Sequence, residues 1–142
     1  METFHYLLMA NHMVFQKKVL EKLKMSGLTS GQPKVLDYLK SHDGASQKEI
    51  AAACHIEAGS LTSVLNRMEE KGMIERKILN GNRRTFHIFM TENGRILQQK
   101  VDETFTELEE ELFSGIMETE KEQFMQTFEK IYINLWQGDK HE

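Results

Sequence analysis

The sequence predicts a mainly α-helical fold with one small β-hairpin, in the order ααααββαα. Apolar residues recur at steps of three and four along most of the chain, capping residues and glycines separate the helical segments, and the period changes in the residues that follow Gly72. At 142 residues the chain has the size of a single domain. We therefore predict one domain spanning residues 1–142.

The first two helices are predicted from apolar spacing and from their ends. Apolar side chains fall at helical intervals over residues 4–23, with no proline or glycine between them. A second helix is expected in LTSGQPKVLDYLKSHDG, where Thr29 or Ser30 can cap the amino end and Pro33 lies in the first turn. Asp43-Gly44 ends this helix.

Two short helices joined by a tight turn come next. SQKEIAAACHI begins with Ser46 as N-cap and has Glu49 three residues later, which is the spacing of a capping box. EAGSLTSVLNRMEEKG closes on Gly72, a suitable residue for a helix C-terminus, and its apolar stripe consists of Leu61, Val64, Leu65 and Met68. This pair predicts a helix-turn-helix.

A β-hairpin follows the helix pair. MIERKIL alternates apolar with charged side chains and TFHIFM is rich in aromatic and branched residues, so both segments suit short strands. The intervening NGNRR supplies turn residues that tolerate positive φ. A helix-turn-helix followed by a hairpin is the winged-helix arrangement, in which the second helix enters the major groove of DNA and the hairpin lies along the flanking backbone or minor groove.

Two longer amphipathic helices close the chain. Thr91 starts the first of them, and the chain is expected to turn near Ser114-Gly115 before the second. Their apolar stripes run through Leu97, Val101, Phe105, Leu108 and Leu112 in the first helix and Phe124, Phe128, Ile131 and Leu135 in the second.

The charge distribution allows the winged helix to bind DNA. The formal net charge of −4 divides into +2 for residues 1–46, +2 for residues 47–91 and −8 for the remainder, so the acidity is concentrated in the tail. Guanidinium groups bind phosphates and favour narrow minor grooves, and small polar side chains bond phosphates or base edges. We predict DNA contacts by Ser46, Gln47 and Lys48 in the first helix of the pair, by Ser60, Thr62, Ser63, Asn66 and Arg67 in the second, and by Asn82, Arg83 and Arg84 in the hairpin tip.

These residues also have simpler interpretations. The two arginines can merely keep an exposed turn solvated, Ser46 can be a plain helix cap, and the polar face of the second helix can be an ordinary solvated surface. The position of the arginines directly after a helix-turn-helix favours the DNA interpretation.

The composition argues against several other classes of protein. No window approaches the roughly 18 apolar residues of a membrane span, and the opening METFHYLLMANHMVF lacks the basic start of a signal peptide. We therefore expect a cytoplasmic protein without a membrane partner. The single cysteine, Cys54, excludes an internal disulfide, and the scattered histidines show no metal-ligand spacing. With no nucleophile elbow, phosphate loop or dinucleotide motif, we predict no catalytic site, no metal and no cofactor.

The chain contains LTSGQPKVLDYL, SQKEIAAACHIEAGSLTSVLNRMEEKGMIERK and NRRTFHIFMTENGR, which together resemble the MarR family of bacterial transcription regulators over nearly the full chain. The resemblance implies a homodimer, with a winged helix at about residues 29–91 and dimerisation helices at about 2–25 and 92–137. The winged helices of the two subunits would enter successive major grooves of a palindromic double-stranded operator, ~34 Å apart. The apolar stripes near both ends of the chain support a dimer independently, because a small domain has too little interior to bury them all.

Two features depart from the family pattern. The family usually has Asp before its two wing arginines where this chain has Asn82, so Arg84 is expected to be held less firmly. EAGSLT is similar to the branch that senses organic peroxides, whose reactive cysteine lies in the first helix, but residues 1–25 contain no cysteine. We expect Cys54 to be a small buried residue instead, and we do not predict peroxide sensing.

The resemblance also suggests an effector site. Many family members bind small aromatic molecules in a cleft between the dimer helices and the winged helix. A corresponding cleft in this chain is expected to be lined by Phe4, His5, Leu8, His12, Phe15 and Tyr38. Alternatively these side chains are simply part of the core, as aromatic stripes usually are.

The predicted function is a sequence-specific DNA-binding transcription regulator that acts as a homodimer and is released by a small effector, with repression favoured over activation. The alternative is a winged-helix module that binds another protein and not DNA, which the acidic total charge permits. An enzyme is not predicted.

The hairpin arginines give the first testable prediction. The double change Arg83→Ala and Arg84→Ala should weaken operator binding and lower the salt dependence of the binding constant by about 0.9 in log–log slope for each phosphate that is no longer neutralised. The measurement is a salt titration of binding to a promoter duplex. An affinity unchanged by the double substitution would contradict the DNA interpretation.

Overall fold

The computed structural model describes residues 1–79 and 85–136. Its elements are α1 (Phe4–Lys22), a short 3-10 turn (Lys24–Ser26), α2 (Gln32–His42), α3 (Gln47–Cys54), α4 (Ala58–Glu70), β1 (Ile74–Ile78), β2 (Phe86–Met90), α5 (Glu92–Leu112) and α6 (Glu118–Trp136). The predicted order ααααββαα is confirmed. The chain forms two compact units, Met1–Leu108 and a second that begins at Glu109, and the extent of a single domain stays a prediction.

The amino end of α2 differs from the sequence prediction. Neither Thr29 nor Ser30 is its N-cap, since that position belongs to Gly31, in the left-handed conformation with φ of 87°. A Cβ on Gly31 would lie 3.1 Å from Cγ2 of Val64 in α4, so both the backbone conformation and the close approach favour glycine. Gln32 supplies the local hydrogen bond instead, because its Oε1 accepts from the backbone N–H of Thr29 at 3.0 Å.

The core of the first unit is built from one side of each helix of the winged helix, together with side chains from the end of α1 and from α5. The predicted stripe of α4 is confirmed: Leu61, Leu65 and Met68 are fully buried, and Val64 packs against them partly buried. The opposite side of α4 is therefore turned outward. The other large side chains that are fully buried are Gln32, Val35, Leu36, Leu39, Ile50, Ile74, Ile88 and Val101.

The hairpin is antiparallel, and it is also joined to the segment before α3. Ile74 pairs with Met90 at one end and Ile78 with Phe86 at the other. The backbone of Ile88 donates to Ala45 at 2.9 Å and accepts from the N–H of Gly44 at 2.8 Å, so residues 44–46 extend the sheet along β2. This pairing fixes the beginning of α3 relative to the hairpin.

The junction between α4, β1 and α5 explains the Thr91 and Gly94 pair. Thr91 donates its backbone N–H to Met73 O at 3.0 Å and its hydroxyl to Gly72 O at 2.6 Å. The same hydroxyl accepts from the N–H of Gly94 at 3.0 Å, which confirms Thr91 as the start of the helix. A Cβ on Gly94 would overlap the carbonyl oxygen of Met73, so glycine allows α5 to begin directly against β1.

Ion pairs join α5 to the helices before it. Lys22 lies 3.3 Å from Glu107, Lys40 lies 2.5 Å from Asp102, and Arg95 lies 3.5 Å from Asp43. The hydrogen bond from Lys40 lowers the pKa of Asp102. Because exposed pairs contribute little individually, we expect them to orient α5 more than to stabilise it.

The junction between α4, β1 and α5, where Gly94 lies, generates a stability prediction. Gly94→Ala should destabilise the fold by about 1–3 kcal/mol, the usual effect of inserting an atom into a packed site, because Met73 O belongs to the backbone and cannot rotate away. Urea unfolding followed by circular dichroism measures the change. Gly59→Ala is the matched control, since a Cβ there has no atom within 4 Å; it should leave stability unchanged or raise it, because alanine favours helix more than glycine does. Equal effects of the two substitutions would contradict this account of the junction.

Candidate nucleic-acid interface

The outer face of α4 is polar and accessible. Ser60, Thr62, Ser63, Asn66 and Arg67 are all exposed, opposite the stripe that α4 buries in the core. Ala58 and Gly59 at the amino end are also exposed and small, and the N-cap residue Glu57 makes no side-chain cap hydrogen bond. A partner can therefore approach the first turn of α4 closely.

The three DNA-contact residues that are predicted at the start of α3 differ in how accessible they are to a partner. Ser46 is buried, and its hydroxyl accepts from Glu49 N at 3.1 Å while Glu49 Oε1 accepts from Ser46 N at 3.3 Å. The predicted capping box is therefore present, and the Ser46 side chain is engaged in it. Lys48 is exposed and Gln47 is half-buried, so these two are better placed than Ser46 to meet a partner.

A hydrogen-bond chain joins α3 to α4 on this surface. Gln47 Nε2 donates to Thr62 Oγ1 at 2.9 Å, and Thr62 Oγ1 donates to Ala58 O at 3.0 Å. Gln47 and Thr62, which the sequence analysis predicts as separate DNA contacts, are therefore a hydrogen-bonded pair. Local patterns carry no signal for this bond, because Gln47 and Thr62 are fifteen positions apart.

The turn between the two helices uses a residue other than glycine in the left-handed region. His55 has φ of 53° and is the C-cap of α3. The N–H of the next residue, Ile56, donates to Ala51 O at 3.0 Å and closes the turn. This conformation is uncommon for a residue with a side chain, and the sequence did not indicate it.

The predicted contacts in the hairpin tip, Asn82, Arg83 and Arg84, lie outside the described residues. The strands that lead to them are described. Lys77 lies over the ring of Phe89, with 5.0 Å from Nζ to the ring centroid. Arg76 on β1 turns toward α4, where its Nη1 lies 3.3 Å from Glu69 Oε1 with only 16% of the side chain exposed. Arg76 therefore belongs to the packing between α4 and β1 and is not presented to a partner.

A cavity of about 200 Å³ lies between α1, the start of α2 and α5. Of the residues predicted to bind an effector, it brings together His12 and Phe15. His5 and Leu8, like Phe4, are exposed on an earlier part of α1, and Tyr38 stacks on His42 with 4.2 Å between the ring centroids. The remaining residues that line the cavity are Gln16, Val19, Leu20, Ser30, Gly31, Pro33, Lys34 and Phe105.

Cys54 is buried on α3, as expected from the sequence. Its Sγ lies 3.5 Å from Lys34 O, and burial raises the pKa of the thiol. A raised pKa keeps the sulfur protonated and lowers its reactivity. Within residues 1–79 and 85–136 no three His, Cys, Asp or Glu side chains are grouped closely enough to hold a metal ion.

Two helices expose much apolar surface. As far as the chain is described, Val19 is the only buried residue of α1, and α6 has none among its nineteen residues. The large apolar side chains exposed on α1 are Phe4, Tyr6, Leu7, Leu8, Met9, Met13 and Val14, and those on α6 are Phe124, Met125, Phe128, Tyr132, Ile133 and Leu135. In the described part of the chain, no helix combines the length and the apolar character needed to cross a membrane.

Known proteins resemble this chain in sequence and in structure. The sequence model that describes the MarR family matches residues 28–86 of this chain. The uncharacterized HTH-type transcriptional regulator YwoH of Bacillus subtilis (strain 168) is 30% identical over 112 residues, which cover 79% of this chain and 81% of YwoH. The organic hydroperoxide resistance transcriptional regulator of the same organism is 30% identical over 95 residues, 67% of this chain and 65% of that regulator. The S. aureus MepR-DNA complex matches with a TM-score of 0.86 at 28% identity, covering 95% of this chain and 99% of the MepR chain.

The capping box generates a prediction about stability. Ser46→Ala should cost about 1 kcal/mol of stability, the typical effect of losing an N-cap, because the hydroxyl is buried and accepts the Glu49 N–H. Ser60→Ala, on the exposed face of α4, should change stability by less than about 0.5 kcal/mol. Thermal and urea unfolding measure both. A Ser46 variant as stable as the wild type would contradict the structural role of this cap.

Proposed function

The chain belongs to the MarR family of transcription regulators, and we propose that it is a homodimeric repressor that binds a specific DNA sequence through α4 and the hairpin. One observation carries the proposal above the rest. The polar residues of α4 are all exposed, while all of its apolar residues larger than alanine are in the core or packed against it. The helix therefore has a fixed rotation, with its recognition face outward.

In the proposed complex α4 lies in the major groove. Asn66 and Arg67 have the side chains that bond base edges, Asn to adenine and Arg to guanine, and Ser60 and Ser63 can donate to phosphate oxygens. Lys48 at the start of α3 lies where the first helix of such a pair crosses the DNA backbone. The DNA complex of the similar MepR chain supports this mode of binding.

A second copy of the chain is the proposed partner of the exposed apolar faces. A nineteen-residue helix with no buried residue among those described has little burial to hold it in a monomer. Even Phe124, which lies edge-on to Phe113 with 6.4 Å between the ring centroids, stays exposed. Phe124 and Phe128 on α6 are 49% and 39% exposed although their rings stack on each other. Association through α1 and α6 would cover these side chains and set two copies of α4 at a fixed separation on one duplex.

The cavity beside Phe15 is the proposed site of an effector that releases the DNA. Its walls are mostly apolar, and the rings of Phe15 and Phe105 are parallel to within 10° at a centroid distance of 6.1 Å. A volume of about 200 Å³ suits a small aromatic molecule. Since α1, α2 and α5 all line it, an occupant would shift helices of the dimer against the winged helix.

We infer no enzymatic activity, and a regulator of this kind acts in the cytoplasm with the DNA that it binds.

The decisive experiment is selection of bound sites from random duplex DNA by the full chain. We expect a palindrome whose half-sites are about one helical turn apart, ~34 Å, because the dimer presents two copies of α4. Asn66→Ala should relax the preference at one base pair of each half-site, with a loss of about 1–3 kcal/mol. Failure to enrich any sequence would overturn the proposal and favour a protein-binding winged helix.

The dimer is tested on the same material by sedimentation. The wild type should sediment at twice the chain mass of 16.6 kDa, and a Phe124→Glu, Phe128→Glu variant should shift toward the monomer and lose affinity for the selected duplex. Glu129→Gln, on the same helix, should do neither. A wild-type protein that sediments as a single chain while binding the palindrome would refute the dimeric arrangement.

A further inference from the structure

The hydroxyl of Thr62 already donates its proton to a hydrogen bond within the protein. Its Oγ1 lies 3.0 Å from Ala58 O and 2.9 Å from Gln47 Nε2. A backbone carbonyl can only accept, so the single hydroxyl proton points to Ala58. Thr62 must then accept from Gln47, which fixes the Gln47 amide with its nitrogen toward Thr62.

This direction limits what Thr62 can offer to DNA. Phosphate oxygens only accept hydrogen bonds, and Thr62 has no proton left to donate to them. Thr62 is nevertheless exposed on the outer face of α4. The part of its side chain that makes no hydrogen bond is the Cγ2 methyl. An apolar contact with the C5-methyl of thymine is one of the standard contacts in the major groove.

Gln47 adds a constraint that the helix alone does not provide. Threonine in a helix divides between two χ1 rotamers, because its hydroxyl can bond a carbonyl of the preceding turn. A donor from a different helix selects the rotamer in which Oγ1 faces both Ala58 and Gln47. The methyl group is thereby held in one direction, so DNA binding removes less side-chain freedom.

We propose that Thr62 recognises a thymine through its methyl group and that Gln47 is a positioning residue that holds Thr62 in the required rotamer. The proposal rests on the DNA-binding function proposed above and assigns a base to one residue of that surface. It gives Gln47 a role through Thr62, in place of an independent contact with DNA.

The test removes the thymine methyl group directly. Each thymine of the selected duplex is exchanged, one at a time, for deoxyuridine, which differs only by the absence of that methyl. The wild type should lose affinity about fourfold at one thymine of the half-site, the value expected for one buried methyl-sized group. Thymines outside the protected sequence serve as the control and should show no change.

Protein variants complete the comparison. Thr62→Ser keeps the hydroxyl and removes the methyl, so it should bind the thymine and deoxyuridine duplexes equally. Thr62→Val keeps the methyl and is stiff at χ1, so it should still discriminate. Gln47→Met keeps the length of the side chain without the donor and should reduce the discrimination, while the unfolding midpoint stays that of the wild type.

Each outcome decides one point. A Thr62→Ser variant that discriminates as well as the wild type, or a wild type indifferent to every thymine, overturns the assignment to the methyl group. Unchanged discrimination by Gln47→Met overturns the positioning role alone. If the wild type enriches no duplex at all, the proposed DNA-binding function fails first, so the two failures are distinguishable.

Discussion

The burial of one side of α4 is the constraint on which the surface of the winged helix depends. Leu61, Leu65 and Met68 have no exposed surface, and successive residues of a helix are about 100° apart around its axis. Rotation by one residue would therefore bring Thr62 inward and expose Leu61, which costs the burial of a leucine, about 1.5–3 kcal/mol. The apolar core thus determines which polar side chains face outward.

Hydrogen bonds then fix the neighbouring elements against α4. Gly44 and Ala45 pair with Ile88 and connect the start of α3 to the hairpin, and the bond between Gln47 and Thr62 connects it to α4. The carbonyl of Met73 meets the start of α5 through Thr91. Because backbone groups form most of these contacts, the geometry tolerates changes in many side chains, but not a new side chain at Gly94.

The features that are predictable from the sequence are local ones. The capping box of Ser46 and Glu49 and the stripe of α4 depend on residues three or four positions apart, and both are confirmed. The predicted cap of α2 is wrong, because Gly31 is required by a contact with Val64 that only the tertiary fold creates. The bond between Gln47 and Thr62 escapes prediction for the same reason. The expected effector residues rest on a resemblance and on aromatic character, neither of which locates a cleft, and Tyr38 in fact stacks on His42.

The lack of buried residues in α6 also has a consequence for dosage. Under the proposed assembly the ordering of this helix and the meeting of two chains are one equilibrium, and mass action makes such an equilibrium depend on concentration. The amount of competent repressor would then rise more steeply than the number of chains made. A cell with few copies would leave its operator largely vacant, and a modest rise in synthesis would suffice to occupy it.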